Sequence, residues 1–160
     1  MKVHTSNERE LLKEMLHKQF ENYLGEKGLR QTAGRFLILD KCVDQRVHFD
    51  IQHLYDDIHR DFSVSLASVY NTVELLCDCG ILRKQYFWEN QASYEVAGEN
   101  HLHLICLECG SVEVMEIGER KELDYSKVRR LIASGDHRQF VPSFMSANGY
   151  GICSACKSRN

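Results

Sequence analysis

The chain has 160 residues, 43% of them hydrophobic and 27% charged, with a formal net charge of −3. That length suits one domain or two small ones, and the composition is that of a soluble globular protein. No apolar run approaches the roughly 20 residues that span a bilayer, neither half carries the basic excess of an obvious nucleic-acid binder, and the charged start MKVHTSNERELLKEM is unlike a signal peptide and places the protein in the cytoplasm, away from membranes.

From Glu8 to Leu24 the apolar residues Leu12, Met15, Leu16, Phe20, Tyr23 and Leu24 recur at three and four, which predicts an amphipathic helix ended by Gly25 or Gly28. A second helix follows Thr32 through AGRFLILDKCV. A third starts at Asp50, a good N-cap, with Ile51, Leu54, Tyr55 and Ile58 on one face. A fourth begins at Ser63 or Ser65, buries Leu66, Val69, Val73 and Leu76, and stops at Gly80. ILRKQYF, a polar turn at 89–91 and ASYEV then read as a β-hairpin. Helices followed by a hairpin make a winged helix-turn-helix.

The second half differs in texture. LHLIC and VEVMEI are predicted strands around a CxxC turn, KELDYSKVRRLIASG has helical spacing, and FMSANGYGIC reads as a last strand. The expected division is residues 1–88 for the winged-helix unit, 89–93 for a hinge and 94–160 for a second unit small enough to want a staple. The fold class is α+β, with no internal repeats or low-complexity segments.

Seven cysteines in a cytoplasmic chain point to free thiols or metal ligands rather than a disulfide framework. Cys106/Cys109 and Cys153/Cys156 form two CxxC pairs, each bending a turn so that two sulfurs converge. Two such turns supply the four thiolates of a tetrahedral zinc site. The segment separating the pairs is too long for a zinc ribbon, so they must come from separate strands. Such a site would tie the last strand to the first strand of the second unit and contribute on the order of 10 kcal/mol to its folding. Free thiols, local disulfides or a redox pair are the competing readings, and the redox pair lacks its βαβ context. Cys42, Cys77 and Cys79 fall on predicted helices, where packing is the default role.

The stretch HLHLICLEC puts His101 and His103 on one face of a strand and Cys106 on the other. One ion can hardly collect all of them, so two sites are expected. The imidazole pair needs other N/O ligands, for which Glu95 and His48 are the candidates. Three histidines and a glutamate suit Zn2+, Fe2+ or Mn2+, and affinity order does not choose among them. The competing reading is a pair of surface histidines.

Taken together, GLRQTAGRFLIL, HFDIQHLYDDI, SLASVYNTVELLCDCGIL, HLHLICLECG and the closing GICSAC resemble the ferric uptake regulator family of metal-sensing repressors over nearly the whole chain. The resemblance implies an N-terminal winged-helix DNA-binding domain, a C-terminal α/β dimerisation domain and a structural zinc on Cys106, Cys109, Cys153 and Cys156. It further implies a regulatory metal between domains on His48, Glu95, His101 and His103, with a homodimer acting on double-stranded DNA.

Several positions depart from the family pattern. Asn100 and Leu102 stand where a further histidine and an aspartate are usual. The strand around 140–149 lacks the family's histidine, which speaks against an additional metal site. Val114 occupies a usual carboxylate position, leaving Glu113 or Glu116 as a fifth ligand, or none. Peroxide-sensing members use aspartate where Glu95 stands, and Gly34 replaces a common proline at the second helix.

In the fourth helix Ala67, Ser68 and Asn71 point away from the apolar stripe, with Tyr70 on its flank, in the turns that usually meet base edges. Asparagine pairs with adenine and tyrosine packs on thymine methyls, so an A/T-rich, palindromic operator is expected. Many family members carry arginine where Asn71 stands. Arg30, Arg35, Arg83 and Lys84 are the phosphate-holding candidates, against a competing role as solvated surface charge.

An enzyme is not expected. A four-cysteine zinc site is closed, His101–Leu102–His103 lacks the His-x-Glu of the deaminases, and no phosphate loop or nucleophile elbow is present. The alternatives are a non-sensing zinc-stapled winged-helix adaptor, or a regulator of the same fold that answers peroxide, haem or a thiol oxidant, the last through Cys77 or Cys79.

Overall fold

The structure is a computed structural model that describes residues 6–45, 48–87, 92–97, 101–116, 130, 132, 134 and 147–159. The chain divides into two compact units, Lys2–Gly98 and Glu99–Asn160.

The first unit opens with α1 (Ser6–Glu26). Phe20 and Leu24 are fully buried on its inner stripe, whereas Met15 is 63% exposed. Five residues from Phe20 is about 140° around the helix, which puts Met15 off the stripe. Gly28 rather than Gly25 terminates α1. It adopts φ 64°, and the Leu29 and Gly28 N–H groups cap the carbonyls of Leu24 and Gly25.

The next three helices start where their capping residues put them. The Thr32 side chain accepts from the Arg35 N–H at the start of α2 (Ala33–Asp44). Asp50 accepts from His53 at α3 (Ile51–His59), and Ser65 accepts from Ser68 at α4 (Leu66–Asp78). Gly80, with φ 75°, closes α4. The Ile81 N–H bonds the Leu76 carbonyl, the Gly80 N–H bonds the Cys77 carbonyl, and Ile81 tucks into the core. Phe20, Leu24, Ile38, Leu39, Cys42, Leu54, Ile58, Val69, Val73 and Leu76 form one apolar cluster between the four helices. Thr72 is buried with them, a polar position the apolar periodicity does not signal.

The hairpin forms as expected from β1 (Leu82–Tyr86) and β2 (Ala92–Val96), antiparallel, with Arg83 opposite Glu95 and Lys84 opposite Tyr94. A single antiparallel bridge, Phe49 with Tyr94, adds the segment before α3 to the other edge of β2. This pairing corrects the expected boundary. Residues 92–96 are a strand of the first unit, so 94 does not open the second, and the division comes after residue 98. Residues 89–91 of the expected hinge lie outside the described residues.

The second unit holds β3 (His101–Cys106), β4 (Val112–Glu116) and β5 (Ala147–Gly151) in the order β4-β3-β5. β3 runs antiparallel to β4 through the CxxC turn and parallel to β5. A parallel neighbour demands a crossover, and Arg130, Ile132 and Ser134, within the predicted helix, are helical. The remainder of that helix, and residues 140–146 of the predicted last strand, lie outside the described residues. A four-residue helix, Ser154–Lys157, follows β5; it is too short to leave a periodic signal in the sequence. Among the described residues no helix is long and apolar enough to cross a membrane.

Candidate metal centres and DNA-reading face

The parallel register sets Cys106, at the end of β3, opposite Gly151, two residues before Cys153. The two CxxC turns therefore meet. The sulfurs of Cys106, Cys109, Cys153 and Cys156 all lie within 4.8 Å of one another, with Cys109 and Cys153 at 3.8 Å. Two sulfurs bound at about 2.3 Å to one tetrahedral zinc ion are about 3.8 Å apart, so the arrangement fits that ion. All seven cysteines are free thiols.

The surrounding hydrogen bonds favour thiolate at Cys106 and Cys109. Cys106 sits well below its ordinary range, at about 6, because the Cys109 N–H and then the Cys153 N–H donate to its sulfur. Cys109 is lowered by hydrogen bonding to the Ser111 hydroxyl and backbone. Cys156 is pushed up to about 12, chiefly by its contact with the Cys153 sulfur and then by burial, while the Arg159 guanidinium donates to its sulfur at 3.4 Å. Ser111 and Arg159 are parts of this cluster that no spacing rule singles out. Cys42 and Cys77 are raised by burial, Cys77 to about 11, which makes both poor nucleophiles and suits a packing role.

In the first unit Glu95 is buried. Its surroundings follow from register. Arg83 lies directly across β1, and extension of the Phe49–Tyr94 bridge by one residue brings His48 opposite on the other side. Arg83 Nε stands 3.3 Å from Glu95 Oε1, and Gln85 donates to the same oxygen. His48 Nδ1 stands 3.6 Å from Oε2, and the His48 ring meets Phe87 edge-on at 4.8 Å between centroids. Arg83 was expected among the phosphate-holding cations. Its side chain is instead 12% exposed and turned onto Glu95, because a buried carboxylate needs a counter-charge.

In the second unit His101 opens β3 and His103 is buried two residues on. Asn148, opposite His103 in β5, places Oδ1 at 2.9 Å from His103 Nδ1. A hydrogen bond from Nδ1 to a carbonyl oxygen is the usual arrangement of a histidine that binds metal through Nε2. Glu113 and Glu116 lie on β4, Glu116 opposite His101 and Glu113 opposite Leu104.

On α4, Ala67, Ser68, Tyr70 and Asn71 are exposed along one side, opposite the buried Val69, Val73 and Leu76. The Ser68 hydroxyl is already hydrogen-bonded to the Ser65 hydroxyl at 2.8 Å, so it belongs to the helix cap as well as to the exposed face. Arg30 is exposed, and Arg35 folds back to donate to the Arg30 carbonyl, bracing the loop before α2. Lys84 is exposed, with its ammonium 5.5 Å from the Tyr86 ring centre and 5.8 Å from that of Tyr94.

The model of the "Ferric uptake regulator family" matches residues 26–137. Among curated proteins the chain is 24% identical over 140 residues to the peroxide-responsive repressor PerR of Staphylococcus aureus, covering 85% of this chain and 88% of that one. Among solved structures it is similar to the Helicobacter pylori ferric uptake regulator (TM-score 0.68, 18% identity, 91% of this chain and 93% of the other). It is also similar to the Vibrio cholerae ferric uptake regulator (TM-score 0.56, 26% identity, 81% and 96%). These likenesses place the fold: a helical unit with a two-stranded wing, then a small sheet bearing the cysteine cluster.

Proposed function

We propose that this chain, which belongs to the ferric uptake regulator family, is a cytoplasmic, metal-dependent repressor that binds DNA as a homodimer. Cys106, Cys109, Cys153 and Cys156 hold a structural zinc that staples the second unit. His48 and Glu95 from the first unit, with His101 and His103 from the second, hold a regulatory Fe2+, Zn2+ or Mn2+. That ligand set rests on the sequence resemblance. The donor chemistry of each unit agrees with it, a buried carboxylate beside an imidazole in one and a buried histidine whose Nδ1 meets the Asn148 amide oxygen in the other. The operator is an A/T-rich palindrome, read by Ala67, Ser68, Tyr70 and Asn71 and gripped at phosphates by Arg30, Arg35 and Lys84.

The observation that carries the reading is that Glu95 and His48 belong to the wing sheet of the helical unit itself. A metal bound there acts on the same compact unit that presents α4. The metal favours the binding-competent arrangement by differential affinity, and about 5.5 kcal/mol suffices for a 1:99 to 99:1 switch.

A gel-shift titration with each ion tests the proposal. Operator binding should rise with metal in the wild type and lose that dependence when His101 and His103 are changed to Ala. Undiminished dependence would refute it. The similarity to PerR brings in peroxide response as a second reading, against which Glu95 stands in place of the aspartate of peroxide sensors. Release of the operator by hydrogen peroxide in the iron-loaded protein would favour that reading.

A further inference from the structure

Arg83 and Glu95 face each other across β1 and β2, the least exposed ion pair of the first unit among the described residues with a full-time cation, at 12% and 5% side-chain exposure. The neighbouring Lys84 is exposed on the other face of the strand, where a cation can meet solvent or phosphate. The two oxygens of Glu95 are used differently. Oε1 carries Arg83 and Gln85, and Oε2 faces His48. The guanidinium is a permanent charge, so it neutralises the carboxylate whatever else is bound.

We infer that Arg83 is the built-in competitor of the regulatory metal: it holds Glu95 in the metal-free protein, repels a divalent ion at the Oε2 edge, and so sets the metal concentration at which the sensor responds. This rests on the proposed metal role of Glu95. A double charge added beside a neutral Arg83–Glu95 pair leaves the buried site with two uncompensated charges, and without Arg83 it leaves one. Even at the dielectric of bulk water, a single and a double charge about 5 Å apart repel enough to change affinity by at least roughly tenfold. Arg83 thereby trades affinity for a wing sheet that stays intact when metal is scarce.

The test uses full-length protein with its cysteine cluster loaded with zinc and Mn2+ as the probe, since Mn2+ prefers oxygen and imidazole ligands to thiolate. Dissociation constants are measured by competition with a chromophoric chelator for the wild type, Arg83→Gln, Arg83→Lys and Glu95→Gln. Arg83→Gln should bind Mn2+ at least about tenfold more tightly, while Arg83→Lys, which keeps the charge, stays near the wild type. Wild-type or weaker binding by Arg83→Gln overturns the inference. Wild-type binding by Glu95→Gln shows instead that Glu95 is no ligand, and removes the reading beneath it. Should Arg83→Gln fail to fold, the 15N side-chain resonance of Arg83 in the wild type decides. It should shift and exchange faster with water on saturation with Zn2+, and an unchanged resonance overturns the inference.

Discussion

Removing zinc from the cysteine cluster should unfold the second unit and spare the first. The magnitude follows from what each unit buries. In the first, an unbroken apolar cluster runs from Phe20 through Leu54 and Leu76 to Tyr94. Among the described residues of the second, the buried hydrophobic side chains are Ile105, Cys106 and Cys156, two of them members of the cluster itself. Burying one isoleucine contributes about 1.5–3 kcal/mol, whereas structural zinc contributes on the order of 10 kcal/mol. The metal therefore outweighs the described core of its own unit several-fold. The perturbation is a high-affinity chelator, or Cys153→Ser, which removes one sulfur and leaves three. Zinc content is followed by atomic emission and unfolding by calorimetry with amide hydrogen exchange. The zinc-free protein should lose protection in β3, β4 and β5, while the transition of the helical unit stays within about 2 °C. Retained protection in β3–β5 after verified loss of zinc would refute the reasoning.

Acid should release the zinc below neutrality rather than at it. Cys106 has a folded pKa below its ordinary value of 9.0, at about 6, so its contribution is in full above the unfolded value and is lost as pH falls through the folded one. A chromogenic zinc indicator should find the metal retained at pH 7 and freed on further acidification, as protons displace it from its thiolates; release already complete at pH 7 would contradict this. Leu76→Ala, at a fully buried position of α4, should cost the first unit about 2–5 kcal/mol in urea unfolding. Asn71→Ala should weaken operator binding by about 1–3 kcal/mol without changing metal affinity. Lys84→Ala should weaken binding to all duplexes alike and lower the salt slope by about one.

Much of this was legible in the sequence because it is local. Thr32, Asp50 and Ser65 announce their helices by side chains that accept from a backbone N–H three residues on. The paired CxxC spacing brings sulfurs together wherever its two strands are neighbours, and β3 and β5 are. What escaped depends on pairing between distant segments. Arg83 reads as a surface cation beside Lys84 until the register puts it opposite Glu95. Asn148 is unremarkable in its strand until it lies against His103. The Phe49–Tyr94 bridge, one residue long, leaves no periodicity to detect, yet it is what brings His48 to Glu95. The boundary after residue 98 differs from the expected one for another reason: the hairpin itself is legible, but the expected division at 94 cuts through its second strand.

Metal and operator must be coupled in both directions if the sensor reading is correct, because linkage makes the factor reciprocal. The most direct measurement is the regulatory-metal affinity of the full-length, zinc-stapled protein with and without saturating operator duplex, set beside operator affinity with and without metal. The predicted result is that DNA tightens metal binding by the same factor by which metal tightens DNA binding, on the order of 5- to 150-fold, and that Glu95→Gln abolishes both. A metal affinity indifferent to the operator would contradict the account at its centre.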